Sequence, residues 1–232
     1  MPHSATWSQW SINSDALIVL IVAATVAYVW PRRRILVAPW WLGSIFAAVL
    51  FCSPIHQLSM SSYPAHMTEH LLIVLVIAPL IVIGSNPRGA TPPVSVIGFF
   101  AYIILIPLYH LTKLGGVIMR STGAHSVELI VFFFVGIMFW WGPLGGVFNR
   151  IQRLAYVAMS IPVSIFTGLA LMGASRPPFP LDPMSTKPNP LEDLHRGGVV
   201  MATLSLLLLA VHLVASLVQP KSTALESHET LA

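Results

Sequence analysis

The stretch "PAHMTEHLLIVLVIAPLIVIG", residues 64–84, combines a long apolar run with three titratable side chains. No charged or polar side chain occurs between Leu71 and Gly84, as expected for a helix that crosses a bilayer. His66, Glu69 and His70 stand at the start of that run. Ionisable side chains in a membrane segment cost several kcal/mol unless they are paired or near water, so the stretch predicts both a membrane helix and a functional site.

The composition of the whole chain agrees with a membrane protein. Of 232 residues, 56% are hydrophobic and 9% are charged, whereas a soluble domain has about 25% charged residues. The length accommodates roughly seven membrane spans with short connections. The net charge of +4 does not indicate nucleic-acid binding, because Lys and Arg occur between the apolar segments. The single cysteine, Cys52, excludes an intramolecular disulfide and a CxxC motif.

The hydropathy pattern predicts an all-α polytopic bundle of about seven transmembrane helices, forming a single integral-membrane domain over residues 1–232. Near-continuous apolar runs favour helices over the shorter alternating strands of a membrane barrel. Six prolines in residues 175–196 predict an extended cover over one end of the bundle. The predicted spans lie near residues 15–30, 36–53, 66–84, 92–111, 124–142, 154–174 and 197–218.

Basic residues give the predicted orientation. Arg32, Arg33 and Arg34 form a compact cluster after the first span, and short basic loops near the first helices usually stay in the cytoplasm. We therefore expect the N-terminus outside and the C-terminus in the cytoplasm.

Seven spans place six histidines at the outer ends of the helices, and Glu128 falls in the same layer. His66 and His70 are four residues apart and share one helix face, with Glu69 beside them. His125 and Glu128 are three apart, a spacing that metal sites in helical bundles use in mirror order. The six histidines of this layer are His56, His66, His70, His110, His125 and His195.

A cluster of imidazoles and carboxylates predicts a metal or proton site. Imidazole binds copper, zinc or iron, and carboxylates often hold the far nitrogen of a ligating histidine. Taken singly, His56, His110 or His195 also fits an interfacial residue or a hydrogen bond between helices. His212 lies far from the layer and is predicted to make such a structural bond. The predicted metal-site residues are His66, His70, His110, His125, Glu69, Glu128, His56 and His195.

Two other chemistries fit parts of the pattern. "HMTEH", residues 66–70, matches H-x-x-E-H, in which two histidines bind zinc and the glutamate activates water. An intramembrane protease of this kind needs a third ligand, which His125 or Glu128 could supply. Paired histidines from different helices also fit the axial ligands of a haem.

The motifs resemble a known family. "SPIHQLSMSSYPAHMTEHLLIVLVIAPLIVIGSNP", residues 53–87, is similar to the signature of CtaG-type cytochrome c oxidase assembly factors. That signature has an S-P pair, an S-A-H-M-x-Q-H segment, a proline-containing apolar run and G-x-P. The resemblance extends over about residues 15–218, because "LYHL", "HSVELIVFFFVGIMFWWGPL" and "EDLHRGGVVM" follow in the family's order. Glu69 stands where the family usually has glutamine, and His195 with Arg196 where D-Q-Q-L-G-G is usual.

The resemblance implies a multi-pass protein of the bacterial plasma membrane that is required for maturation of haem-copper oxidase. Carried over by position, His66 and His70 are the functional pair, and His110 and His125 support them. The implied partners are a cytochrome c oxidase subunit, the lipid bilayer and a copper-donor protein.

Residues and resemblance together predict an assembly factor that binds copper transiently at the outer histidine layer and delivers it to the oxidase. No covalent chemistry is required, so no enzyme is predicted. The alternatives are a structural chaperone that binds no metal and an intramembrane zinc metalloprotease using His66, Glu69 and His70.

Overall fold

The structure, a computed structural model, describes residues 10–11, 14–29, 36–86, 92–115, 121–146, 148–178 and 189–218. All regular secondary structure in these ranges is helical, which confirms the predicted all-α class. The helices are α1 Ser14–Val29, α2 Val37–Cys52, α3 Pro54–Ser59, α4 Tyr63–Ser85, α5 Pro92–Leu111, α6 Thr122–Leu144, α7 Arg150–Met172 and α8 Pro190–Val218.

Helices α4 to α8 are long and apolar enough to cross a membrane, and α1 and α2 are shorter apolar helices. The chain is therefore a multi-pass membrane protein. The predicted limits of the first six spans differ from the helix limits by no more than four residues. The short helix α3 was not predicted; it begins with Pro54, whose fixed backbone suits a first helical position.

Helix α4 forms the centre of the bundle. In the most apolar 18-residue window of α4, 67% of the residues are buried. The corresponding fraction is 50% or less in each of the other long helices. Helix α4 contacts α2, α6 and α8, and its first half also contacts α3. Titratable side chains on α4 consequently lie inside the protein and not against lipid.

The middle of α4, Ile73–Ile77, is wound as a π-helix. The N–H of Ala78 donates to the carbonyl of Ile73, five residues earlier, so the carbonyl of Val74 loses its usual partner. Pro79 has no N–H to offer the carbonyl of Leu75. The π turn and the proline together leave two neighbouring carbonyls without helical hydrogen bonds.

Side chains from two other helices supply those hydrogen bonds. Trp140 Nε1 donates to the Val74 carbonyl at 2.7 Å, and His212 Nε2 donates to the Leu75 carbonyl at 2.8 Å. The prediction that His212 makes a structural bond between helices is thereby confirmed. Replacement donors of this kind are what allow an irregular helix to exist away from water.

Helix α8 begins earlier than predicted. The expected extended segment reached residue 196, but the helix starts at Pro190. Asn189 Oδ1 accepts the backbone N–H of Glu192 at 3.2 Å, and acidic side chains occupy the first turn, where they stabilise a helix start. The prediction of extended chain was therefore wrong for residues 190–196, and its residues 179–188 lie outside the described ranges.

Candidate metal centre

Four consecutive helices bring seven of the eight predicted residues into one buried cluster. They lie on α3, near the starts of α4 and α6, and at the end of α5, so all belong to one end of the bundle. We call them the histidine–glutamate cluster: His56, His66, Glu69, His70, His110, His125 and Glu128.

The first turn of α4 is held in place by α8. Asp193 Oδ2 accepts the backbone N–H of Tyr63 at 2.9 Å and so caps α4 from another helix. Gly197 lets the two helices approach, since a Cβ added there would lie 2.7 Å from the Cβ of Tyr63. The N–H of His66 donates to the carbonyl of Ser62 at 2.9 Å, which continues the turn. These contacts set the position of the α4 histidines.

Glu69 joins α3 to α6. Its Oε1 lies 2.6 Å from Nδ1 of His56, and its Oε2 lies 3.2 Å from Nε2 of His125. A carboxylate with no exposed surface is expensive to bury as an anion unless cationic or hydrogen-bonding groups surround it. His56 supplies a hydrogen bond to Oε1, whereas the contact of Oε2 with His125 lacks hydrogen-bond geometry.

Glu128 joins α6 to α4. Its Oε2 accepts from Nδ1 of His125 at 3.0 Å. Its Oε1 lies 2.8 Å from Nε2 of His70, at an angle that departs from a normal hydrogen bond, and 3.6 Å from Nε2 of His66. One carboxylate thus faces three imidazoles on two helices.

His70 and His110 are hydrogen-bonded to each other through their rings. Nδ1 of His110 must carry a proton, because it donates to the carbonyl of Ile106 at 2.7 Å, and this leaves a lone pair on Nε2 of neutral His110. Nδ1 of His70 donates to that Nε2. These two nitrogens are 3.3 Å apart. Nitrogen ligands about 2.0 Å from a tetrahedral metal ion are separated by about 3.3 Å.

His66 is the least satisfied member of the cluster. Its side chain has no exposed surface, and neither ring nitrogen has a hydrogen-bond partner among the residues described. Its ring centroid lies 4.3 Å from that of His70 and 6.1 Å from that of His110. A buried polar nitrogen without a partner is costly, and a cation between these three rings would remove that cost.

The ligand atoms form three overlapping triads, within each of which they lie within 4.8 Å of one another. The inner triad contains three imidazoles, and the outer triad contains two imidazoles and a carboxylate. The middle triad takes one residue from each and adds Glu128. The inner triad is His66, His70 and His110; the outer is His56, Glu69 and His125; the middle is His66, His125 and Glu128.

Aromatic rings separate the cluster from lipid and water. Phe132 stacks on His70 with ring centroids 4.0 Å apart, Tyr109 stacks on His66 at 5.8 Å, and Phe51 meets His56 edge-on at 5.2 Å. The side chain of His56 is 14% exposed, whereas the other members are at most 4% exposed. His56 is therefore the most exposed member of the cluster.

His195 lies outside these triads. Its Nε2 donates to the carbonyl of Ala174 at 2.9 Å, two residues beyond the end of α7. The structure does not place it with the other seven predicted residues. That the seven bind a metal ion stays a prediction.

The geometry bears on the protease and haem alternatives. In an H-x-x-E-H protease the glutamate activates water at the ion held by its two histidines, but both oxygens of Glu69 are directed to His56 and His125. Axial haem ligands from two helices stand on opposite sides of a macrocycle, whereas Nδ1 of His70 and Nε2 of His110 are hydrogen-bonded to each other at 3.3 Å.

Sequence reasoning missed Ser59. Its hydroxyl donates to the carbonyl of His56 at 2.9 Å and lies 3.1 Å from Nε2 of His125. Ser59 follows His56 by three residues. That spacing brings the two residues together only in a helix, and α3 was not predicted. Asp193 was also missed, because its contact with Tyr63 joins residues 130 positions apart.

A comparison with known families gives the cluster its context. A family model described as cytochrome c oxidase caa3 assembly factor (Caa3_CtaG) matches residues 16–221. No curated protein matched this chain, and no solved structure matched it. The family match covers most of the chain and includes all seven residues of the cluster, so the chain belongs to the cytochrome c oxidase caa3 assembly factors.

Proposed function

We propose that this assembly factor holds copper in the histidine–glutamate cluster and passes it to a cytochrome c oxidase subunit. The observation that carries the proposal is the inner triad. Nδ1 of His70 and Nε2 of His110 lie 3.3 Å apart, and neither ring nitrogen of the adjacent His66 has a hydrogen-bond partner among the described residues. A cation that replaces the proton between His70 and His110 would form three coordination bonds with these rings and satisfy His66.

The choice of copper combines the donor atoms with the family. Imidazole and carboxylate ligands accept copper, zinc and iron, so the donor set alone defines only this group of metals. The family assembles a haem-copper oxidase, and copper is a metal that such an enzyme must receive. Copper is thus treated as cargo, and the protein needs no covalent chemistry of its own.

The proposed topology has seven membrane crossings, with the N-terminus and the cluster outside and the C-terminus in the cytoplasm. Helices α1 and α2, with 16 residues each, are about 24 Å long, and flanking residues could extend them to the interfaces. The N–H of Ser11, before α1, donates to the carbonyl of Cys52 at 3.1 Å, which supports placing the N-terminus at the same end as α3. One integral-membrane domain then contains all the spans.

Delivery requires that the ion can leave. The partly exposed ring of His56 gives a copper donor or an oxidase subunit a place to exchange ligands with the cluster. Neutral imidazoles hold the ion at neutral pH, and replacement of one ligand at a time releases it without unfolding the protein.

The test is copper binding by purified protein together with oxidase assembly in a deletion strain. We expect bound copper in the natural protein and less copper in a His66→Gln/His70→Gln variant, which lacks two of the three ligands of the inner triad. His195→Gln is the matched control, since it alters a histidine at the same end that lies outside the triads.

The cellular measurement separates delivery from scaffolding. Low oxidase activity in the double variant, restored by excess copper, would support delivery. Full oxidase activity in a double variant whose copper content has fallen would overturn the proposal and favour a structural chaperone.

A further inference from the structure

We propose that the cluster contains two ion positions in series, and that an ion moves from the outer triad to the inner triad through Glu128. The inference rests on the proposed function, because it specifies how the same cluster loads its cargo. Its starting point is that the inner and outer triads share no residue. Both can therefore hold an ion at the same time.

The two triads differ in their access to solvent. The outer triad includes the 14% exposed side chain of His56, whereas His66 and His110 of the inner triad are almost completely buried. An ion from solution or from a donor protein therefore reaches the outer triad first. The carboxylate of Glu69 adds a negative charge there, which attracts a cation.

The middle triad connects the other two. It shares His125 with the outer triad and His66 with the inner triad, and Glu128 belongs to neither. The oxygens of Glu128 point in both directions: Oε2 lies 3.0 Å from Nδ1 of His125, and Oε1 lies 3.6 Å from Nε2 of His66. His125 faces Glu69 with Nε2 and Glu128 with Nδ1, so an ion held by the middle triad has changed ring nitrogen on His125 and already has one ligand of the position it enters.

The transfer is a ligand exchange without change of oxidation state. In the first step the bonds to His56, Glu69 and Nε2 of His125 break, bonds to Glu128, His66 and Nδ1 of His125 form, and the proton on Nδ1 of His125 moves to its Nε2. In the second step the bonds to His125 and Glu128 break, the bond to His66 remains, and bonds to His70 and His110 form. Each step forms as many bonds as it breaks, so the ion does not have to cross the buried cluster without ligands.

The middle triad cannot be filled while both other triads are filled, because it uses one ligand of each. These triads can therefore hold at most two ions. An ion in the outer triad can move inward only when the inner triad is empty. Glu128 acts as the carboxylate that carries the ion between two storage positions.

Copper titration of the purified full-length protein tests this arrangement. We expect two equivalents in the natural protein and one equivalent in either His56→Gln or His110→Gln. His195→Gln should keep both equivalents. Glu128→Gln should slow stopped-flow filling of the inner position by roughly tenfold or more, because it removes the carboxylate that connects the two storage triads.

The outcomes distinguish the two proposals. No copper in the natural protein would overturn the proposed function itself. A single equivalent in the natural protein, lost in both His56→Gln and His110→Gln, would overturn the two-position inference and leave copper binding intact. Circular dichroism and gel filtration identify any variant that fails to fold. If His56→Gln or His110→Gln does not fold, the corresponding asparagine variant, His56→Asn or His110→Asn, is titrated instead.

Discussion

The carboxylate of Asp193 accepts the backbone N–H of Tyr63 at 2.9 Å and thereby ties the start of α8 to the start of α4. Three residues further along α4 stands His66, the first histidine of the inner triad. The first turn of α8, which the sequence analysis assigned to an extended segment, therefore supports the cluster. Its effect can be measured separately from metal ligation, because Asp193 belongs to none of the triads.

Replacing Asp193 by alanine should lower both stability and copper affinity. Loss of a helix cap costs about 1 kcal/mol, and a looser first turn of α4 shifts the histidines it carries. Thermal unfolding in detergent and copper titration check the two effects. Glu192→Ala is the matched control, since Glu192 is exposed and pairs with Arg196 on the surface. Equal losses in both variants would contradict the capping role.

Replacing Trp140 by phenylalanine should destabilise the protein without changing its copper content. The substitution removes the Nε1 donor and leaves the buried carbonyl of Val74 unsatisfied, at a cost of about 1–3 kcal/mol. Thermal unfolding gives the stability change, and metal analysis gives the copper content. A Trp140→Phe protein that unfolds normally but loses copper would show that the π segment has a different role.

Replacing Glu69 by glutamine, the residue usual in the family, should keep the fold and weaken the outer position. The amide oxygen can still accept from His56, but the negative charge that attracts a cation is lost. Titration should then show one tight copper equivalent, held by the inner triad. Two equally tight equivalents in this variant would mean that the carboxylate adds nothing to binding.

Replacing Ser59 by alanine should leave two copper equivalents but lower the affinity of the outer one by roughly tenfold. The hydroxyl lies 3.1 Å from Nε2 of His125 and helps to orient that ring. Competition titration against a copper chelator measures the change. Ser61→Ala is the control, because the Ser61 hydroxyl donates a hydrogen bond to the carbonyl of Leu58 and the residue lies outside the triads.

Much of this arrangement could be predicted from local spacing and helix counting. The four-residue separation of His66 and His70 gives a common face, and the alternation of span direction brings His110 and His125 to the same end. The structure places them together as expected. These features depend on helix geometry alone, which apolar runs reveal well.

The division of the cluster into triads could not be predicted in the same way. Glu69 is adjacent to His70 in sequence, yet it faces His56 and His125. That choice depends on α3, a helix of six residues without a hydropathy signal. The start of α8 was missed for a related reason: its first turn is polar and contains a proline, as helix starts often are, and a search for apolar spans excludes it.

The π turn within α4 also affects the direction in which the α4 histidines of the cluster point. A π turn takes up one extra residue in a helix, and each residue of an α-helix rotates the chain by about 100°. The extra residue therefore fixes the angle between the half of α4 that carries the histidines and the half that packs against α2. Winding the same residues as a regular α-helix would remove that offset and turn the histidines by about 100°, away from α5 and α6, with every ligand still present in the sequence.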